Sequence, residues 1–101
     1  MHIPPNSNVL QQLVLEGALS IYTAADVKPR LSEALQGAIA LQIDLSAVDE
    51  FDSAGLQLLL ATREQAHQQG IDLQFHGIGP VIGELLVLSG LHSSLGEQEA
   101  N

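Results

Sequence analysis

Three times along this chain a short apolar run of strand character gives way, after a few residues, to a stretch with helical spacing. Residues 13–17 ("LVLEG"), 39–45 ("IALQIDL") and 71–77 ("IDLQFHG") read as strands. Residues 23–37 open on Thr23, a residue suited to N-capping, and close at Gly37. Within them Ala24, Val27, Leu31, Ala34 and Leu35 recur at roughly 3.6-residue spacing. Pro29 predicts either a weakened helix there or a start moved toward the proline. Residues 53–69 give the strongest helix, stopped by Gly70. Residues 80–89 give another, with Pro80 in its first turn and Gly90 just past its end. "LHSSL", residues 91–95, predicts a short final strand. Strand-to-helix alternation with short connections requires crossovers, so the fold class is α/β: one mixed, mostly parallel sheet with helices packed against it. In such sheets functional sites gather beyond the carboxyl ends of the strands.

A chain of 101 residues suits one domain. The expected boundaries are a flexible lead-in over 1–8 ("MHIPPNSN"), the domain over 9–95 and a flexible tail over 96–101. With 46% hydrophobic and 15% charged residues, a real core can form. Tyr22, Phe51 and Phe75 are the only aromatics, too few for a base-stacking platform. Three basic residues against twelve acidic ones give a net charge of −9, which opposes nucleic acid and anionic lipid. The absence of cysteine excludes disulfides, thiol catalysis and thiolate metal sites. The N-terminal stretch lacks a signal-peptide pattern and no apolar run is long enough to span a bilayer, so a cytoplasmic protein without membrane insertion is expected. His2, His67, His76 and His92 form no i, i+4 pair, and "GIGP" at 77–80 reads as a turn rather than a phosphate loop. No metal and no cofactor is therefore expected.

The stretch from Asp49 to Gly55 concentrates chemistry. Asp49, Glu50 and Asp52 lead into Ser53, then Ala54-Gly55 and a leucine-rich run. Ser53 has two compatible roles. Its oxygen suits an N-cap, accepting from the amide of residue 55 or 56. Its hydroxyl also suits phosphorylation, which adds about −1.5 to −2 charges at a helix N-terminus that favours anions. A nucleophile is not expected: no histidine stands at a recognisable spacing and G-x-S-x-G is absent.

On a helical wheel Gly55, Leu59, Thr62 and Ala66 fall on the core side, with Gln57, Glu64 and Gln68 opposite. Leu56 and Leu60 lie at one edge of the apolar arc; the helix reads either as sunk deep in the domain or as offering these two leucines, next to Ser53, as part of a docking patch. Residues 80–89 are apolar almost all round, from Val81 and Ile82 to Leu85, Leu86, Val87 and Leu88. A domain this small rarely buries such a helix whole, so part of it is expected to meet a partner or a second copy, giving a homodimer through 80–89. Gly83 in its middle suggests close packing of another backbone.

"IDLSAVDEFDSAGLQLLL", residues 43–60, resembles the signature of STAS domains, the sulfate-transporter and anti-sigma-factor-antagonist fold. The matching positions are Asp44-Leu45-Ser46 and Asp52-Ser53-Ala54-Gly55-Leu56. "GP…LLVLSGL" resembles the family's third helix, which ends in Ser89-Gly90-Leu91 here. The resemblance implies a non-enzymatic bacterial partner-switch protein. Its serine, Ser53 here, would be phosphorylated by a serine kinase of the anti-sigma-factor type and restored by a phosphatase, with one form binding the target. Asp52 would shape and cap the loop, Gly55 would admit a partner's backbone, and Ala54, Leu56 and Leu60 would complete the contact. Other branches of the family imply an alternative: a constitutive subunit of a chemotaxis-associated or lipid-transport ATPase complex, without phosphorylation.

Overall fold

The structure, a computed structural model, describes residues 10–88 and 90. Six elements alternate: β1 (Leu10–Leu19), α1 (Ala24–Leu35), β2 (Ala40–Phe51), α2 (Ser53–Gln68), β3 (Asp72–His76) and α3 (Pro80–Leu88). The strands form one sheet in the order β1-β2-β3, and both pairings are parallel. The final strand expected at 91–95, the lead-in over 1–8 and the tail over 96–101 lie outside the described residues.

The strand register sorts side chains by the two-residue pleat. Leu13 pairs with Ile43 and Ile43 with Phe75, and this row points into the core. Gln12 pairs with Gln42 and Gln42 with Gln74 on the other face, where Gln12 Nε2 donates to Gln42 Oε1 at 3.2 Å. Two successive right-handed crossovers in one direction place α1 and α2 on the same, apolar side. Leu31 and Leu35 of α1 and Leu59 and Ala66 of α2 meet Leu41 and Ile43 there, in a core built mostly of leucine.

β2 runs well past the expected 39–45. Residues 46–51 carry serine and two acids between apolar positions and give no clean alternation. They become strand because β1 pairs with them, through Glu16 with Ala47 to Leu19 with Phe51, across two register shifts. β3 stops earlier, at Asp44 opposite His76. The carboxyl half of β2 thus projects beyond β3.

α1 keeps its full length through Pro29. The proline's missing N–H removes the usual helical donor to the carbonyl of Ala25, a residue exposed to solvent, where an unpaired carbonyl costs little. The start is therefore not displaced, contrary to one expectation. Thr23 stands at the N-cap position but does not cap. Its Oγ1 donates to the Ala18 carbonyl at 2.9 Å and accepts from the Ser20 amide at 3.0 Å.

In α3, Ile82 and Leu86 are buried while Val87 and Leu88 are 65% and 76% exposed, so the all-round apolar helix does leave apolar surface uncovered by the described residues. A methyl group at Gly83 would meet nothing within 4 Å, so no backbone among the described residues explains that glycine. Gly83→Ala is expected to stabilise the domain by about 1 kcal/mol through helix propensity, raising the thermal midpoint by roughly 4–8 °C. A fall on melting would instead reveal another chain packed there.

Candidate functional site

β1 and β2 end side by side, Leu19 opposite Phe51, at the carboxyl edge of the sheet. The next residue, Asp52, is extended (φ −133°, ψ −172°) and caps α2. Its Oδ1 accepts from the amides of Ala54 (2.9 Å) and Gly55 (3.1 Å). Its Oδ2 accepts from the amide of Ile21 (3.1 Å), in the connection between β1 and α1. One carboxylate thereby starts a helix and ties down a loop 31 residues away in sequence. The Ile21 amide foremost, then those of Gly55 and Ala54, hold this carboxyl below the usual aspartate range.

This geometry corrects the expected cap. Ser53 is the first residue of α2, not its cap. An aspartate one position earlier offers two oxygens and a negative charge to the free amides, which a hydroxyl cannot match. Ser53 is left exposed at the helix mouth. Asp49 and Glu50, near the end of β2, are also exposed.

Two further expectations change. Gly55 is buried, and a Cβ there would collide with the Leu19 carbonyl and press on the Phe51 ring at 3.0 Å. The glycine admits the protein's own β1 backbone, leaving no room for a partner's. Leu56 is 3% exposed and belongs to the core, so it offers a partner nothing. The wheel put it at an edge; the proximity of the sheet closes that edge. Leu60 and Ala54 are half-buried and remain reachable. Gly55, Leu59, Thr62 and Ala66 are buried and Gln57, Glu64 and Gln68 exposed, as the wheel placed them.

The loop after β1 carries residues that the sequence reading passed over. Ser20 is buried, and its Oγ accepts from the Tyr22 amide at 3.2 Å. With the Thr23 and Asp52 bonds, these contacts fix a four-residue loop that holds Ile21 and Tyr22 in solvent, 67% and 90% exposed. An Ile-Tyr pair inside so short a connection was the available signal. Beside this loop α1 and α2 leave an open, mainly apolar groove of about 420 Å³. Ala24, Ala25 and Lys28 line it from α1, and Ala54, Gln57, Leu58 and Ala61 from α2.

The second motif, Asp44-Leu45-Ser46, also has a local cause. Asp44 Oδ1 accepts from the Ser46 amide at 2.9 Å, a bond that lowers the aspartate's pKa, at the residue where β2 makes its last pair with β3. Gly77, at φ +75°, lies so close that a Cβ would meet Ser46 at 2.8 Å. Among the described residues no three His, Cys, Asp or Glu side chains are grouped to hold a metal ion. No helix among them is long and apolar enough to cross a membrane.

The family model described as "Mlab, STAS domain" matches residues 6–97. The chain belongs to the STAS domain family. Solved STAS folds superpose on it. The STAS domain of a SulP transporter from Vibrio cholerae is 24% identical with a TM-score of 0.67, over 95% of this chain and 73% of that one. An anti-sigma factor antagonist from Mycobacterium paratuberculosis is 28% identical, also with a TM-score of 0.67, over 83% of this chain and 73% of that one. The anti-sigma factor antagonist SpoIIAA in its unphosphorylated form is 16% identical, with a TM-score of 0.66, over 81% of this chain and 75% of that one. In this STAS domain the helix-mouth serine, the pinned loop and the inter-helix groove share one edge of the sheet.

Proposed function

We propose that this STAS domain is a non-enzymatic, cytoplasmic regulatory module that binds a protein partner and changes partner when Ser53 is phosphorylated. The observation that carries the reading is the position of Ser53: exposed, first in α2, and outside the hydrogen-bond network that caps the helix. A kinase can reach it, and the fold does not need its hydroxyl. A phosphate would meet the positive end of α2 and yet stand near Asp49 and Glu50, which alters the docking surface sharply without unfolding the domain. The likeness to anti-sigma factor antagonists supports partners of that type: an anti-sigma factor or serine kinase, with a phosphatase to reset the switch.

Ser53→Ala is expected to leave stability within about 0.5 kcal/mol, because the cap belongs to Asp52. Ser53→Asp is expected to keep the fold and weaken or redirect partner binding by about tenfold or more. Tagged purification from native cells, with phosphate mapping by mass spectrometry, checks both. Absence of phosphate at Ser53 under every signalling stress would end the switch reading.

A second reading, permanent docking as a subunit of a larger complex, is favoured by the Mlab description of the matching family model. A stoichiometric partner retained by Ser53→Asp would select it. In either case the exposed apolar end of α3 is available for a contact between copies, and sedimentation of Leu88→Glu beside the unaltered chain tests that.

A further inference from the structure

We infer that a cleft on the sheet face opposite α1 and α2 takes the guanidinium of an arginine presented by a partner protein. The site stands apart from the Ser53 edge and does not rest on the switch proposed above. It gives a use to Asp44, whose motif that switch leaves unexplained.

The strand register builds the cleft. Two neighbouring rows cross all three strands on that face: Gln12, Gln42 and Gln74, then Val14, Asp44 and His76. Strands lie about 4.8 Å apart and same-face residues about 6.6 Å along a strand, so one small group can touch both rows. A cavity of about 120 Å³ lies there, lined by Gln12, Leu13, Val14, Gln42, Asp44 and His76. A free small molecule takes a pocket of about 300–1,000 Å³. This cavity admits the tip of a side chain, and the rest of the partner lies on the open face, where Leu10 and Val14 are exposed. A parallel sheet ordinarily has both faces covered.

The polar groups select a cation that only donates. Asp44 is fixed from two sides: its Oδ1 accepts from the Ser46 amide at 2.9 Å, and a Cβ at Gly77 would meet the same oxygen at 2.9 Å. The amide and then the hydroxyl of Ser46 hold its carboxyl below the usual aspartate range, so it carries charge. A carboxylate accepts about four hydrogen bonds, and capacity remains. Gln12 Nε2 donates to Gln42 Oε1 at 3.2 Å, which leaves Gln12 Oε1 as an acceptor. The unprotonated imidazole nitrogen of His76 is another. No Lys or Arg is among the described residues that line the cleft. A guanidinium brings five donors in one plane, no acceptor, and a weaker hold on water than an ammonium. Its flat face suits Val14 and the imidazole ring. A metal ion is a poorer match, because among the described residues no three His, Cys, Asp or Glu side chains are grouped. So is a second copy, which brings the same charge of −9 and whose Arg30 already donates to the Val14 carbonyl at 3.2 Å.

Heteronuclear NMR of the isotope-labelled full chain tests the site, with Nα-acetyl-argininamide as the probe. The expected result is saturable shifts of the Gln12 and Gln42 side-chain NH2 signals and of the Ser46 and His76 amides, with Nα-acetyl-lysinamide about tenfold weaker. Asp44→Asn keeps an acceptor for the Ser46 amide but removes the charge, and should weaken the arginine probe about tenfold. Gln12→Leu, at an exposed position, should weaken it as well, while Ser53→Asp should leave it unchanged. No saturable shift, equal binding of the lysine probe, shifts centred elsewhere, or full binding by Asp44→Asn each overturns the inference. A second arm identifies the source of the arginine. Photo-crosslinking p-benzoylphenylalanine is placed at Gln74, beside the cleft, and separately at exposed Glu33 on α1, in native cells. Mass spectrometry should find an arginine-bearing peptide of another protein joined at 74 and not at 33, and lost in Asp44→Asn. Probe binding without a protein captured at 74, capture of a second copy, or a product indifferent to Asp44→Asn overturns the partner.

Discussion

Gly55→Ala is expected to cost about 3 kcal/mol, the upper part of the range for overpacking a buried site, and to lower the thermal midpoint by roughly 12–24 °C. Alanine is otherwise the better helix former, so propensity predicts the opposite sign. The structure decides it. The new methyl would collide with the carbonyl of Leu19, and that oxygen already accepts from the Asp52 amide at 3.4 Å. A flexible side chain can swing aside; a backbone carbonyl at the end of a paired strand cannot without dragging β1 along. Either α2 lifts from the sheet or the Leu19–Phe51 pair opens. Gly83→Ala is the control, the same substitution in an open helix. Thermal melts of the two variants should move in opposite directions, and equal shifts would show that α2 does not start against the β1 backbone.

Removing the Asp52 carboxylate is expected to produce the second largest loss. Asp52→Ala gives up the α2 cap and the tie to Ile21 together, lowering the midpoint by roughly 5–10 °C. Asp52→Asn separates the two roles. Its carbonyl oxygen can still accept from Ala54 and Gly55, but its NH2 then faces the Ile21 amide, donor against donor. Hydrogen exchange should show the Ile21 amide deprotected in both variants, and the Ala54 and Gly55 amides deprotected only in Asp52→Ala. Because the folded-state pKa of Asp52 is lowered, the unfolded chain binds the proton more readily. The contribution is whole above the unfolded value of about 3.9 and is lost as pH falls through the lower folded value. Asp44, also lowered by its bond from Ser46, titrates in the same direction. Acid titration of Asp52→Asn should therefore retain a shallower loss of stability below about pH 4. An unchanged profile would mean that the Ile21 bond is not formed in solution.

Both results bear on the proposed switch. The bonds of Asp52 hold Ile21 and Tyr22 where a partner can meet them, so Asp52→Asn should weaken docking even where it spares the helix. Ser53 contributes to neither bond, which is why it is free to carry a signal.

The sequence by itself determined the order of elements and the core side of α2, because hydrophobic periodicity is a local property that survives any packing. It also marked the Asp52–Gly55 turn, since acid, hydroxyl and glycine at a helix start each have a short-range reason. Tertiary structure alone decided what those residues do. The cap went to Asp52 because its carboxylate also finds Ile21, a residue distant in the chain. Gly55 and Leu56 were consumed by the approach of β1 and the core, leaving Ser53, Tyr22 and the alanine-lined groove at the surface. Residues 46–51 became strand only because β1 lay alongside to pair with them. Contacts between segments far apart in sequence carry no periodic signature, so they become visible only when the chain has folded.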